Sequence, residues 1–519
     1  MSYRKRTILL ILLFSILRLI TAGAIELGND EVYYRMYAQY LQYNYFDHPP
    51  VIGWLIRLTT LNLWFDNEIN IRLGAIISSA AVTWIFYLMG KKLGNAYTGY
   101  VAALIYSVTF YGSIISGLFI LPDAPQMVFW SLGLYLLTDI ACYTHINRSK
   151  KRKVLLFGLI IGLAMMCKVS SAFLWVGFLT YIVLYNRAWL KEPVLYVSGL
   201  LTLILFYPVI HWNIENHFVT YLYHSHRVDI TNGSFSLMAI ISFWAGQFFY
   251  YNPILFVYMA IALKKAFSND LPILNSQKRL LLLCSLPLIA TAFLISPFQQ
   301  VLPHWTGPAY SAIILLTASY FTSKLVPKYR PVKRLAAPLK LAIAFFMFIC
   351  LSAVICINYF PGTIGGKRNP NYGDGDFTLD MYGWRDLKYS FHEIVKSDIE
   401  NNSMHQPTSI ITTNWFTAAH LDYYVTKPLG LNLVAVGDTS AIHQYAWINN
   451  MRHPLNYGDD AYCILPSNNY VNIQVAFAHY FWQIDSPTII EQMRGNGICR
   501  KFYVWRLRHF LGIKTPALK

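Results

Sequence analysis

An α-helical polytopic membrane protein with a small α/β domain at its C-terminal end is the fold class that three features predict. The 519 residues are 55% hydrophobic and only 13% charged, whereas about a quarter of residues are charged in soluble domains. The apolar residues gather into many runs of about 18 to 22, each long enough to cross roughly 30 Å of hydrocarbon as a helix. Beyond Phe360 these runs stop, and Gly362, Gly365, Gly366, Gly373 and Gly375 enter with charged neighbours. A single soluble core has no use for so many apolar runs. Residues 1–360 therefore read as a membrane domain and 361–519 as a separate α/β domain.

The first run, 7–25, follows the basic start Met1-Ser2-Tyr3-Arg4-Lys5-Arg6. It is longer than the apolar core of a secretory signal, contains Arg18 and lacks a convincing cleavage site, so it reads as a membrane anchor. Further spans are predicted near 70–90, 97–115, 123–143, 154–167, 171–186, 194–212, 237–260, 279–297, 305–322 and 335–358, about eleven in all. The short pair around Lys168 also suits one re-entrant hairpin. Lys91-Lys92, Arg148 to Lys153, Lys264-Lys265, Lys278-Arg279 and the basic stretch from Lys324 to Arg334 fall in loops on the side of the N-terminus. Lys and Arg in excess mark the cytoplasmic side. An odd number of spans then puts the tail beyond Tyr359 outside the cytoplasm. The formal charge of +17 is concentrated in those loops, so topology accounts for it without nucleic acid.

Cys142, Cys167, Cys284, Cys350 and Cys356 lie in or at the ends of apolar runs, where a small apolar role is the default. Cys463 and Cys499 belong to the outer tail, where oxidising conditions permit a disulfide without requiring one. The first outer loop, 26–70, shows helical spacing of Tyr33, Tyr37, Tyr40 and Leu41, then of Trp54, Leu55, Leu58 and Leu61. Two amphipathic helices lying in the membrane interface are predicted, separated by Pro49-Pro50. A second outer loop, near 213–237, carries Glu215, His217, His224, His226, Arg227 and Asp229. In the tail, Ser409–Thr413, Leu431–Val436 and Ala461–Leu465 read as strands and Phe416–Tyr424 as a helix.

Ionisable residues near membrane depth are functional candidates because they are costly there. Asp30 and Glu31 follow the first span in Gly28-Asn29-Asp30-Glu31-Val32-Tyr33-Tyr34. Asp47 and His48 lie in Tyr45-Phe46-Asp47-His48-Pro49-Pro50, and Asp123 in Leu121-Pro122-Asp123-Ala124-Pro125. Each has a plain alternative. Asp30 or Asp123 suits a helix N-cap, and Asp47 suits the turn before Pro49. Three acidic turns on one face of one membrane protein carry more weight than any one of them. Lys168 suits either an anion site or snorkelling to the interface, and His304-Trp305 either sugar binding or an aromatic anchor.

With these motifs in order, the chain resembles the membrane glycosyltransferases of the C fold, in the branch shared by protein O-mannosyltransferases and the aminoarabinose transferases of lipid A. The acidic pair before aromatic residues, the aromatic-acidic-basic-Pro-Pro element, the Leu121-Pro122-Asp123 turn, Gly162 to Lys168, and Tyr382-Gly383-Trp384 carry the likeness. The resemblance implies a polyprenyl-phosphate sugar donor and an acceptor that is a lipid, glycan or protein, joined at the outer face by inverting displacement. Asp30, Glu31 and Asp123 are the implied catalytic carboxylates. His48, Arg35, Lys168 and Arg227 would receive the phosphate, and Tyr33, Tyr34, Tyr45, Asp47 and His304 would contact substrate. It also implies a divalent metal near Asp47 with an outer-loop histidine, His217 among the candidates His211, His217, His224 and His226; exposed histidines without a metal are the plainer reading. The aminoarabinose transferases carry Glu-Lys where Asp47-His48 stand and Arg where Tyr33 stands. Asp-His-Pro-Pro is closer to transferases that add uronic acids to lipid A or its core. A lipid-linked glycan flippase or transporter and a whole-glycan ligase or polymerase are the rival readings. A transporter is expected to show repeats around a midplane site, and this chain instead gathers its acids at one face.

Overall fold

The computed structural model describes residues 1–141, 145–231, 233–324, 335–405 and 408–512. They form two compact units, one of Met1–Ala22 with Tyr37–Cys350 and the other of Gly23–Met36 with Leu351–Lys519. The segment 23–36 thus packs with the C-terminal residues, although in sequence it opens the first outer loop.

The first unit is helical. Its chain runs through α1 (Tyr3–Ala24), the end of α2 (Asn29–Gln39), α3 (Val51–Thr59), α4 (Glu68–Leu93), α5 (Ala96–Ser107), α6 (Asp123–Ile140), α7 (Arg148–Met165), α8 (Phe173–Tyr185) and α9 (Pro193–Glu215). It continues through α10 (Val219–Val228), α11 (Leu237–Tyr250), α12 (Pro253–Phe267), α13 (Asn275–Ile295), α14 (Tyr310–Lys324) and α15 (Ala337–Tyr359). Among the described residues, α1, α4, α9, α13 and α15 are long and apolar enough to cross a membrane, and α11 with α12 passes as a bent pair. The chain is therefore a multi-pass membrane protein. Several predicted spans correspond to shorter or broken helices. The predicted 97–115 run ends as α5 at Ser107 and resumes as a π turn at Tyr111–Ile115.

The predicted 237–260 span bends by 102° between α11 and α12. Asn252 sits at the bend with φ 64°, and its amide donates to the carbonyls of Val108 at 3.1 Å and Ala342 at 2.9 Å. Asn tolerates positive φ better than most side chains, and Pro253 starts the next helix without needing a donor. Side chains set the starts of several other helices. The Asn67, Asn95 and Asn147 amide oxygens accept backbone N–H groups at the first turns of α4, α5 and α7, the N-cap role that suits Asn.

Bulky side chains of α1 (Leu9, Leu12, Leu13, Ile16, Ile20) and α15 (Leu341, Phe348, Leu351) stay exposed, as lipid-facing stripes require. Arg18 faces the other way. Its guanidinium donates to the Ser113 carbonyl at 3.1 Å and hydroxyl at 3.2 Å, so α1 is packed into the bundle through a satisfied buried charge. The predicted interfacial pair splits in character. In α3 and the turn after it Trp54, Leu58 and Leu61 are exposed, but on α2 Tyr33 and Tyr37 are fully buried, so that aromatic stripe packs on protein rather than lying on a membrane.

The second unit holds a six-stranded sheet: β1 (Ser409–Thr412), β2 (Asn432–Ala435), β3 (Ala461–Pro466), β4 (Phe481–Ile484), β5 (Thr488–Arg494) and β6 (Gly497–Phe510), in the order β2-β1-β3-β6-β4 with β5 also on β6. The first three strands are parallel and β6 runs against β3. Helices α16 (Trp384–Glu400) and α17 (Trp415–Leu421) accompany them. The three predicted strands and the helix between the first two are present. Cys463 and Cys499 are both buried free thiols. Cys463 faces Trp505 across the β3–β6 ladder, so Cys499 lies six residues along the partner strand. At about 3.3 Å per residue that is roughly 20 Å, against the 4.4–6.8 Å between Cα atoms that a disulfide needs.

Candidate active site

In the first unit the predicted basic and acidic residues converge. Asp123 opens α6 and is 2% exposed. It is not a cap. Its carboxylate pairs with Lys168 Nζ at 2.8 Å and accepts the Tyr111 hydroxyl at 3.1 Å. Lys168 is in reach because the chain leaves α7 and turns extended there, with φ −158° and ψ 126°, before a 3-10 turn at Val169–Ala172. Its ammonium therefore pairs within the protein rather than snorkelling away. Gly307 makes room for Tyr111: a Cβ there would lie 2.0 Å from the Tyr111 ring. Nothing in the sequence around Tyr111, inside an apolar run, marks it as a partner of Asp123.

The Tyr45 to Pro50 turn is held from several sides. The Tyr37 and Tyr45 rings stack at 3.6 Å, the Tyr45 hydroxyl donates to the Tyr37 carbonyl at 2.8 Å, and the Tyr37 hydroxyl donates to the Asp47 carboxylate. Tyr45 N–H closes the turn on the His48 carbonyl at 3.1 Å, while Thr220 of α10 donates to the Tyr45 carbonyl at 3.1 Å. One turn further along α10, His224 Nε2 donates to the Asp47 carbonyl at 2.7 Å, with its ring 6.0 Å from that of His48. Arg227, the next turn, lies over the rings of Tyr223 and Trp305 at 5.6 and 5.1 Å.

The charges of this group act on one another. Burial pushes the His48 imidazole well below its ordinary pKa, and His224, Lys168, Arg227 and His304 push the same way. His224 is lowered by burial, with Arg227 and Lys168 adding to it. His304 is lowered to about 4 by burial and Lys168, with Asp123 opposing. Three neutral imidazoles, one ammonium paired with one carboxylate, and one guanidinium make a site short of negative charge. An anion placed there would meet donors from several elements. The sequence named His48, Lys168, Arg227, Asp123 and His304 for substrate or catalysis; His224 entered only as one of the outer-loop candidates for a metal.

Asp47 and His217 are not gathered into a cluster of metal-ligand side chains among the described residues. The Asp47 carboxylate takes the Tyr37 hydroxyl, His217 stands at φ 54° where α9 turns into α10, and no group of three or more His, Cys, Asp or Glu side chains gathers among the described residues.

The other predicted residues belong to the second unit. Asp30, at the second position of α2, is exposed between half-buried Asn29 and buried Glu31. Gly28 is the cap: its carbonyl accepts the N–H groups of Glu31 and Val32 at 3.0 and 3.1 Å. Glu31, expected as a catalytic carboxylate, is 2% exposed, and its Oε2 accepts the Gly28 N–H at 3.0 Å. That is the back-reaching half of a capping box, which is a structural task. Tyr33 accepts the Gln444 N–H at 3.1 Å and packs against Trp415 at 4.8 Å and Tyr34 at 5.7 Å. Arg35, expected at the phosphate, is 3% exposed with its guanidinium over Tyr423 at 5.5 Å.

This architecture has a counterpart among solved structures. The structure resembles the crystal structure of ArnT from Cupriavidus metallidurans in the apo state, with a TM-score of 0.60 over 97% of this chain and 98% of that one at 10% identity. For the same protein bound to undecaprenyl phosphate the values are 0.59, 96%, 97% and 12%. Residues 47–212 match the family described as dolichyl-phosphate-mannose-protein mannosyltransferase, a stretch that contains Asp47, His48, Asp123 and Lys168. Over 316 residues the sequence is 25% identical to the lipid A galacturonosyltransferase RgtD of Rhizobium johnstonii, covering 60% of this chain and 64% of that relative. Asp30 precedes the family match.

Proposed function

We propose that this protein transfers a sugar, of the uronic acid class, from a polyprenyl-phosphate carrier to lipid A or a related envelope acceptor at the outer face of the bacterial inner membrane. The observation that carries the reading is the anion-seeking group of Lys168, Arg227, His48, His224 and His304 near Asp123, of which His48, Asp123 and Lys168 fall in the stretch that matches the mannosyltransferase family. The galacturonosyltransferase relative supports the sugar class and the acceptor. A uronic acid donor brings a carboxylate as well as a phosphate, and because Lys168 is already paired, Arg227 and the imidazoles are the groups left to balance it.

In this reading the acceptor hydroxyl attacks the anomeric carbon, its proton passes to the Asp30 carboxylate, and the bond from that carbon to the phosphate oxygen breaks with its electron pair staying on phosphate. One displacement inverts the anomeric centre. The phosphate leaves as a weak base, so the cations need only stabilise charge that grows on it. Asp123 holds Lys168 in place, and Tyr37, Tyr45 and Asp47 hold the loop that carries His48. The N-terminus is cytoplasmic and residues 361–519 are periplasmic.

The test is turnover. Detergent-purified protein given polyprenyl-phosphate galacturonate and lipid A should release polyprenyl phosphate and add one hexuronate mass to lipid A. Release with a nucleotide sugar in place of the lipid donor, or transport of intact donor without transfer, would overturn the proposal.

A further inference from the structure

The Tyr382-Gly383-Trp384 motif takes no part in the chemistry above, yet the structure places it against the residues that lead into Asp30. Gly383 has φ 80°, and a Cβ there would lie 2.0 Å from the Gln492 amide. This turn aims the first N–H groups of α16 at Glu26, whose carboxylate accepts them from Trp384 at 2.7 Å and Arg385 at 3.2 Å. An anion at a helix N-terminus is well placed for its dipole. The Trp384 ring lies parallel to that of His420 at 4.2 Å, with the Arg500 guanidinium 4.4 Å from the Trp384 ring. Arg500 in turn donates to the Tyr382 carbonyl at 2.7 Å.

His420 of α17 donates through Nε2 to the Asn29 side-chain oxygen at 2.9 Å, which leaves the Asn29 amide N–H group for the Asp380 carboxylate, its other partner. Leu27 N–H donates to the Tyr424 hydroxyl at 2.8 Å, and Gly28 N–H to Glu31 at 3.0 Å. Every residue from 26 to 29 is thus bonded, and five of those bonds end on the 380–424 stretch. Leu27 and Val32 are fully buried, while Asp30 between them stays exposed.

We propose that the Tyr382-Gly383-Trp384 turn and the Asp380–Asn29–His420 chain are positioning residues that fix the direction of the Asp30 carboxylate. This rests on the reading of Asp30 as the base. A flexible approach would let that carboxylate sample many directions, and an error of about 1 Å in a reacting group costs on the order of a hundredfold in rate. The C-terminal residues are thereby a working part of the transferase, acting through segment 26–29 and without touching substrate.

The experiment uses the full-length protein in detergent, with polyprenyl-phosphate galacturonate and lipid A both varied. Asn29→Ala and Asp380→Ala, which act on the chain from opposite ends, should each lower kcat by about tenfold or more with the donor KM and melting temperature near parental. Trp384→Phe, which keeps a flat ring on His420 and the backbone donors to Glu26, should retain more than half of kcat. If the variants keep parental kcat, or lose activity only in proportion to folded protein, or shift KM instead, the positioning proposal is overturned. Asp30→Asn separates the two ideas. A parental rate there removes the base and the positioning role together, whereas an inactive Asp30→Asn beside a fully active Asn29→Ala removes positioning alone.

Discussion

Replacing Lys168 by Met separates its structural task from its proposed work on phosphate. The side chains have similar length, so the change removes charge more than volume. It leaves the Asp123 carboxylate, 2% exposed, with the Tyr111 hydroxyl as donor in place of an ammonium at 2.8 Å. Breaking a buried ion pair from one side costs about 3–5 kcal/mol. The remaining hydroxyl bond and the 13% exposure of Lys168 put the expected loss at the lower end, about 3 kcal/mol. Lys168→Met with Asp123→Asn removes the stranded charge while an amide oxygen can still accept from Tyr111, so about 1 kcal/mol of deficit should remain, the scale of one neutral hydrogen bond. Donor affinity should not recover in parallel. A charged hydrogen bond to phosphate is worth about 1.5–3 kcal/mol, so donor KM should stay raised by roughly 10- to 150-fold in the double variant. Thermal unfolding in detergent and donor-saturation kinetics on the same preparations provide the comparison. A double variant with both stability and KM restored would refute the phosphate role and leave Lys168 as the partner of Asp123 only.

Lower pH should tighten donor binding. His48 and His304 are held neutral in the free protein, His304 down to about 4, and a bound anion raises imidazole pKa values. Binding then takes up protons between the free and bound values, so donor KM should fall by up to about tenfold per pH unit per proton as pH drops from 7.5 toward 5.5. A flat or rising KM contradicts this. Gly307→Ala should disturb Asp123 without touching a charge, because its new methyl would meet the Tyr111 ring at 2.0 Å; overpacking of that kind costs about 1–3 kcal/mol, visible as a lower melting temperature, whereas parental stability would show that the ring moves freely. Reporter fusions after Lys324 and after Gly375 should lie on opposite sides of the membrane, cytoplasmic and periplasmic in that order, and finding both on one side would remove the proposed orientation.

The sequence by itself determined the class of molecule. Apolar run length is a local property, so membrane helices, the change of composition at Phe360 and the strands at 409–412, 432–435 and 461–466 could be read without knowing any neighbour. The motifs around Asp30, Asp47 and Asp123 were legible for the same reason, as costly residues in apolar surroundings. Pairing is a different kind of fact. That Asp123 takes Lys168 and Tyr111, that His224 reaches the Asp47 carbonyl, and that Cys463 and Cys499 stand six residues out of register each depend on which elements lie side by side. The same applies to Glu31 and Arg35: the Gly28 N–H that Glu31 accepts and the Tyr423 ring beside Arg35 are partners that folding supplies to these buried side chains. Tertiary structure decided these points because a side chain's chemistry follows from its desolvation and its partners, and both come from residues far away along the chain.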